Sequence, residues 1–166
     1  LRLSAARFPE GTGGAVLDYA AREVFWKRGL DYDHGTGHGV GFLLNVHEGP
    51  AAFRYKSAVG DGRDTGLCEG AFVSDEPGYY KEGSHGVRTE NLLMCVKDRA
   101  TEHGQFCRFD IYTLCPIDRD GLDLELMEPG DRELLDAYHR QVLESLSPYM
   151  EGEELEWLRK ACAPIC

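Results

Sequence analysis

The stretch Asp33-His34-Gly35-Thr36-Gly37-His38-Gly39-Val40-Gly41, running on to Asn45-Val46-His47-Glu48-Gly49-Pro50, decides how the rest of the chain is read. Three of the six histidines fall here, interleaved with glycine. Histidine is the common metal ligand and proton carrier near neutral pH, and glycine lets a backbone come close to a neighbour. His34 and His38 are four apart, as in a helical zinc pair, but three glycines between and beside them would each cost about 1 kcal/mol in a helix. As a strand the pattern is consistent. His34, Thr36, His38 and Val40 would share one face and the glycines the other, so that one side carries chemistry and the other allows close packing. The alternative is a glycine-rich loop with incidental histidines.

With 166 residues and 42% hydrophobic content, the chain can bury one ordinary core. A formal charge of -11 argues against nucleic acid as a partner, because phosphate binding needs clustered Lys and Arg. No apolar run is long enough to span a membrane, and no basic amphipathic stretch or signal-peptide pattern points to one. Cys68, Cys95, Cys107, Cys115, Cys162 and Cys166 contain no Cys-x-x-Cys pair, so a reducing, cytoplasmic setting is expected in place of a disulfide framework or zinc cluster. The chain opens on Leu1 in an apolar run and is expected to be a piece of a longer protein.

Outward from the histidines, the periodicity predicts a helix over 12–28, capped by Thr12 and stopped by Gly29, that covers a sheet. Residues 49–66 read as a loop. Strands are predicted over 71–76, with Phe72, Ser74 and Glu76 on one face, and over 86–96, with Arg88 and Glu90 on one face. Two neighbouring strands would then each present a glutamate to one point. A charged loop over 97–105, a strand over 106–117, and helices over 128–146 and 153–161 complete the order; the stripe Leu135, Tyr138, Val142 and Leu146 marks the first of these helices. The charge-rich run 118–131 reads as solvated surface. The layout is α+β with a largely antiparallel sheet covered by helices.

His38, Glu76 and Glu90 make a first set of ligands for a divalent ion, an imidazole and two carboxylates that suit Mn, Fe(II), Co or Zn. Such an ion lowers the pKa of bound water towards about 7. His34 and His47 could steer a substrate carbonyl or stabilise a developing oxyanion.

Phe8-Pro9-Glu10-Gly11-Thr12, the stretch from Leu30 to Gly41, Asn45-Val46-His47-Glu48-Gly49-Pro50, Asp75-Glu76-Pro77-Gly78-Tyr79-Tyr80 and Arg88-Thr89-Glu90-Asn91 together resemble the C-terminal half of the catalytic domain of aminopeptidase P. This is the X-prolyl aminopeptidase of the pita-bread metallopeptidases, and the likeness is to its cytosolic, three-domain branch. Phe109-Asp110-Ile111-Tyr112-Thr113-Leu114-Cys115-Pro116-Ile117-Asp118 and the helices after it resemble that branch's C-terminal tail. The resemblance implies residues 1–105 as the C-terminal half of a pita-bread (creatinase/aminopeptidase-like) domain and 106–166 as a strand and two helices packed on it.

It further implies that His38 and Glu76 bind metal, with Glu76 also the general base. Glu90 bridges two divalent ions, usually manganese, while His34 and His47 bind substrate and stabilise the transition state. Arg88 supports Glu90 and helps bind substrate. A hydroxide between the metals attacks the amide bond before proline, so the partners are peptides with Pro at the second position and, for the whole enzyme, a second copy in a homodimer.

The family's dinuclear site also takes two aspartates and a further histidine from upstream of the Phe-Pro-x-Gly-Thr motif. Here seven residues precede that motif and no Asp occurs before Asp18. The chain alone is therefore expected to be inactive, to bind at most one ion weakly, and to self-associate through edges that the other half of the domain would cover. Prolidase and methionine aminopeptidase are the enzymatic alternatives. A non-catalytic pita-bread module that binds peptides or proteins is the alternative from another class, although such modules typically lose the ligands present here. A phosphate loop does not fit, since no Lys follows the glycines.

Overall fold

The structure is a computed structural model that describes residues 1–43, 45–58 and 65–165. These form two compact units, one within Arg2–Tyr112 and the other Leu1 with residues 113–165. The first is built on a four-stranded antiparallel sheet. Strand β1 (Arg7–Pro9) pairs with β8 (Gly104–Ile111), β8 with β7 (Asn91–Thr101), and β7 with β4 (Phe72–Asp75). Alternation along these strands turns Phe8, Val73, Leu93, Cys95, Cys107 and Phe109 into one core, and helix α1 (Gly14–Trp26) adds Leu17 and Ala21 from successive turns. The α+β layout with a largely antiparallel sheet holds.

Several boundaries differ from the sequence reading. Thr12 does not cap α1. Its hydroxyl donates to the Pro9 carbonyl at 2.6 Å and closes the turn before the helix, which starts from Gly13. The stop at Gly29 is as expected. With φ at +69° it allows the Gly29 amide to reach the Trp26 carbonyl and the Leu30 amide that of Phe25.

The predicted loop over 49–66 contains a short strand, β3 (Ala52–Phe53), and a helical turn, α2 (Tyr55–Ala58), with residues 59–64 outside the described set. The predicted strand over 86–96 is two strands. Strand β6 (His85–Arg88) turns back on β5 (Gly78–Lys81) as a separate hairpin, and β7 begins only at Asn91. The charged loop predicted over 97–105 is mostly strand. There β7 and β8 extend past the core as an exposed ribbon with a register shift between Lys97 and Ala100, so charged side chains sit on a regular hairpin. Strand β8 thus crosses residue 105 and belongs to the sheet as far as Ile111.

The second unit holds α3 (Pro129–Leu146), a 3-10 turn (Ser147–Tyr149) and α4 (Gly152–Ala161). Both helices fall where periodicity put them. Leu135, Tyr138 and Val142 are buried along α3, and Leu158 is buried on α4. Tyr138 donates to the carbonyls of Thr113 and Cys115, which ties the incoming chain to the helix. The five described cysteines, Cys68, Cys95, Cys107, Cys115 and Cys162, are free thiols, and Cys166 lies outside the described residues.

Candidate active site

The histidine segment forms only a two-residue strand, β2 (Gly37–His38), paired with β3. It also runs antiparallel along the open edge of β4. The Val40 amide donates to the Phe72 carbonyl at 2.9 Å and the Glu76 amide to the Thr36 carbonyl at 2.7 Å, with a bridge between Gly39 and Val73. The interleaved glycines make this approach possible. A Cβ on Gly37 would lie 1.9 Å from the Ser74 carbonyl oxygen, and one on Gly39 would lie 2.1 Å from that of Glu48. The segment differs from the sequence reading at Thr36. Its hydroxyl is buried on Asp18 of α1, so it does not share an outer face with the histidines.

This packing brings His38 to Glu76, which follows β4 directly. Glu76 Oε1 lies 3.0 Å from His38 Nε2 and accepts the Ser74 hydroxyl at 2.9 Å, while Oε2 lies 3.0 Å from Arg88 Nη1. Ser74 also accepts the His38 amide at 3.1 Å, so one hydroxyl locks both groups. His38 Nδ1 is 2.9 Å from the Gly39 carbonyl, which can only accept, so the Nδ1 proton is fixed there. Nε2 can then meet the carboxylate in two ways: as an imidazolium N–H, or through its lone pair by sharing a cation with Glu76. A divalent ion fits this pair as two of its ligands.

His34 is ordered in the same manner, with Nδ1 2.7 Å from the Gly35 carbonyl and Nε2 3.5 Å from Arg88 Nη2. The His47 ring stands 4.2 Å from that of His38, centroid to centroid. His34, His38, His47, Glu76 and Arg88 are therefore neighbours.

Glu90 falls one step past the Asp75–Asn91 pair that ends the β4–β7 ladder, in the register position opposite Glu76. It is exposed, makes no hydrogen bond or ion pair among the described residues, and Arg88 pairs with Glu76 in its place. β6 leaves the main sheet as a hairpin arm, so that Glu90 falls in the break between β6 and β7. Among the described residues no group of three or more His, Cys, Asp or Glu side chains is placed to hold a metal ion. The donors present fit part of a coordination shell.

Two members of the site carried no assigned role in the sequence reading. Ser74 shares the Phe72–Glu76 alternation, which was the available signal. Tyr80 stands edge-on to His34 at 5.7 Å and 5.6 Å from the Arg88 guanidinium, and depends on the β5–β6 hairpin that residue periodicity did not separate.

An imidazole and a glutamate facing each other across a glycine-tight strand pair, on this antiparallel scaffold, belong to a class of metal-dependent hydrolases. The chain belongs to metallopeptidase family M24, whose model matches residues 1–97, and residues 105–165 match the C-terminal region of peptidase M24. It is 40% identical over 171 residues to the probable Xaa-Pro aminopeptidase P of Laccaria bicolor, covering 99% of this chain and 26% of that protein. It is 41% identical over 167 residues to aminopeptidase P1 of Arabidopsis thaliana, covering 98% and 25%. Among solved structures it matches the X-prolyl aminopeptidase of Caenorhabditis elegans, described as a cytosolic enzyme with a di-nuclear active site, at a TM-score of 0.84 and 36% identity over 99% of this chain and 27% of that one. The chain thus spans about a quarter of the length of the relatives it matches. The resemblance to the aminopeptidase P branch holds over both units. The match to an Xaa-Pro dipeptidase of Bacillus anthracis covers 70% of the chain at a TM-score of 0.50.

Proposed function

We propose that this chain supplies part of the catalytic centre of an X-prolyl aminopeptidase, which removes the N-terminal residue of peptides with proline at the second position. The observation that carries the reading is the Glu76 carboxylate, held at once by His38, Ser74 and Arg88. Divalent metal, two ions and by preference manganese, supplies activated water and polarises the scissile carbonyl when bound. His38 Nε2 and Glu76 Oε1 are the donors this chain would offer such ions, with the exposed Glu90 carboxylate as a further one.

Glu76 would act as general base through Oε1, which faces His38 Nε2 and the Ser74 hydroxyl, while Arg88 holds Oε2 and fixes the carboxylate's orientation. His34, turned to Arg88, and His47, its ring beside that of His38, are the groups that would donate to a substrate carbonyl or developing oxyanion. Arg88 also offers its guanidinium to substrate beside Tyr80.

We infer that the chain by itself is inactive, since His38 and Glu76 offer only part of a coordination shell. The test is hydrolysis of an X-Pro peptide by the purified chain and by a longer protein carrying it. Cleavage by the longer protein alone is the expected result. Cleavage by the isolated chain overturns the inactivity, and failure of a metal-loaded longer protein favours a non-catalytic peptide-binding role.

A further inference from the structure

We infer that Asp18 and Arg22 of α1 are positioning residues: a buried ion pair that clamps the histidine segment and so sets where His34, His38 and Glu76 stand. The helix face that covers the sheet would be expected to be apolar, yet Asp18 is 0% and Arg22 2% exposed. Such a pair is a poor means of stabilising a core compared with apolar residues of similar volume, so its contacts point to a different task.

Those contacts converge on one segment. Arg22 Nε donates to Asp18 Oδ2 at 2.8 Å, Nη1 to Asp31 Oδ1 at 2.6 Å and to the Tyr32 carbonyl at 2.8 Å, and Nη2 to the His34 carbonyl at 2.7 Å. Its guanidinium also lies 3.9 Å from the Tyr32 ring centroid and 4.7 Å from that of Tyr55. Asp18 Oδ1 accepts the Thr36 hydroxyl, which also bonds the Tyr32 hydroxyl, and Oδ2 accepts the Tyr55 amide at 2.9 Å.

The path to the site is short. Arg22 holds the carbonyl of His34 itself. Asp18 holds Thr36, whose carbonyl accepts the Glu76 amide and whose amide donates to Phe53. Both are buried and neither bonds to the His38, Glu76 or Arg88 side chain, so both act through the segment they hold. A misplacement of about 1 Å in catalytic groups costs on the order of a hundredfold in rate.

The kinetic part of this inference rests on the aminopeptidase reading, and the structural part does not. The test uses Arg22→Lys, which keeps the charge but not the fork of donors, and Thr36→Val, which keeps the volume but not the hydroxyl. In this chain, amide exchange at Thr36 and Glu76 is expected to accelerate at least ~10-fold while Leu93 and Cys95 in β7 keep their rates. In a longer protein carrying the chain, kcat per folded molecule on an X-Pro peptide is expected to fall ~100-fold with KM changed less than ~3-fold.

Uniform acceleration across the sheet, or none at Thr36 and Glu76, overturns the clamp, as does an unchanged kcat. If the wild-type protein does not cleave X-Pro peptides, the aminopeptidase reading fails and the exchange result alone decides the clamp.

Discussion

At Glu76 two oxygens meet an imidazole, a hydroxyl and a guanidinium. A change of any one partner redistributes the others, and Arg88 is the one whose removal leaves the carboxylate in place but uncompensated. Arg88→Ala in a longer protein carrying this chain is expected to lower kcat/KM on an X-Pro peptide by about 10- to 100-fold, which steady-state kinetics would read. Gly37 is as exacting in a different way. Any side chain there meets the Ser74 backbone oxygen, which has no rotamer with which to give way. Gly37→Ala should cost about 3 kcal/mol or more, measured by urea denaturation. A loss under about 1 kcal/mol would mean that β2 is not seated against β4 as described.

At the scale of elements, α3 carries a buried group with a pH consequence. His139 is fully buried, its Nε2 accepts the Ile117 amide at 3.1 Å, and its neutral form is thereby held. Burial first, then the charge of Arg119, keeps its pKa below the ordinary value. The unfolded chain takes up a proton as pH falls through about 6.5 while the folded one does not. The stability that His139 contributes is therefore present above that pH and lost as pH falls through its depressed folded pKa. Thermal unfolding followed between about pH 7.5 and 5 should show the second unit weakening on acidification, and His139→Gln should flatten that slope.

The stripe of α3 was legible in sequence because Leu135, Tyr138 and Val142 recur at helical spacing, but His139 was not, since one buried imidazole leaves no periodic trace. The same division runs through the site. His38 and Glu76 were legible from residue type and strand alternation. Asp18 and Arg22 lie on the helix legible as covering the sheet, but charges at i and i+4 on a helix are usually solvated, and only tertiary packing makes them a clamp. Glu90 was placed beside Glu76 on the assumption of one strand from 86 to 96. The break between β6 and β7 makes two strands of that one while leaving Glu90 next to the Asp75–Asn91 pair, and residue periodicity carries no sign of it.

For the molecule as a whole, the loop before His47 leaves Phe42 and Leu43 at 92% and 80% exposed, with Val46 also exposed. Apolar surface of that kind beside a half-assembled site is expected to drive self-association of the isolated chain. Sedimentation across micromolar concentrations should show species larger than a monomer, reduced in the Phe42→Ser/Leu43→Ser double variant. A monodisperse monomer throughout would contradict this. Among the described residues no helix is long and apolar enough to cross a membrane.

Calorimetric titration of the chain with Mn tests most directly whether His38 and Glu76 are its share of a metal centre. The expected result is at most one weak site, abolished in both His38→Ala and Glu76→Gln. Binding that survives both substitutions would contradict the account.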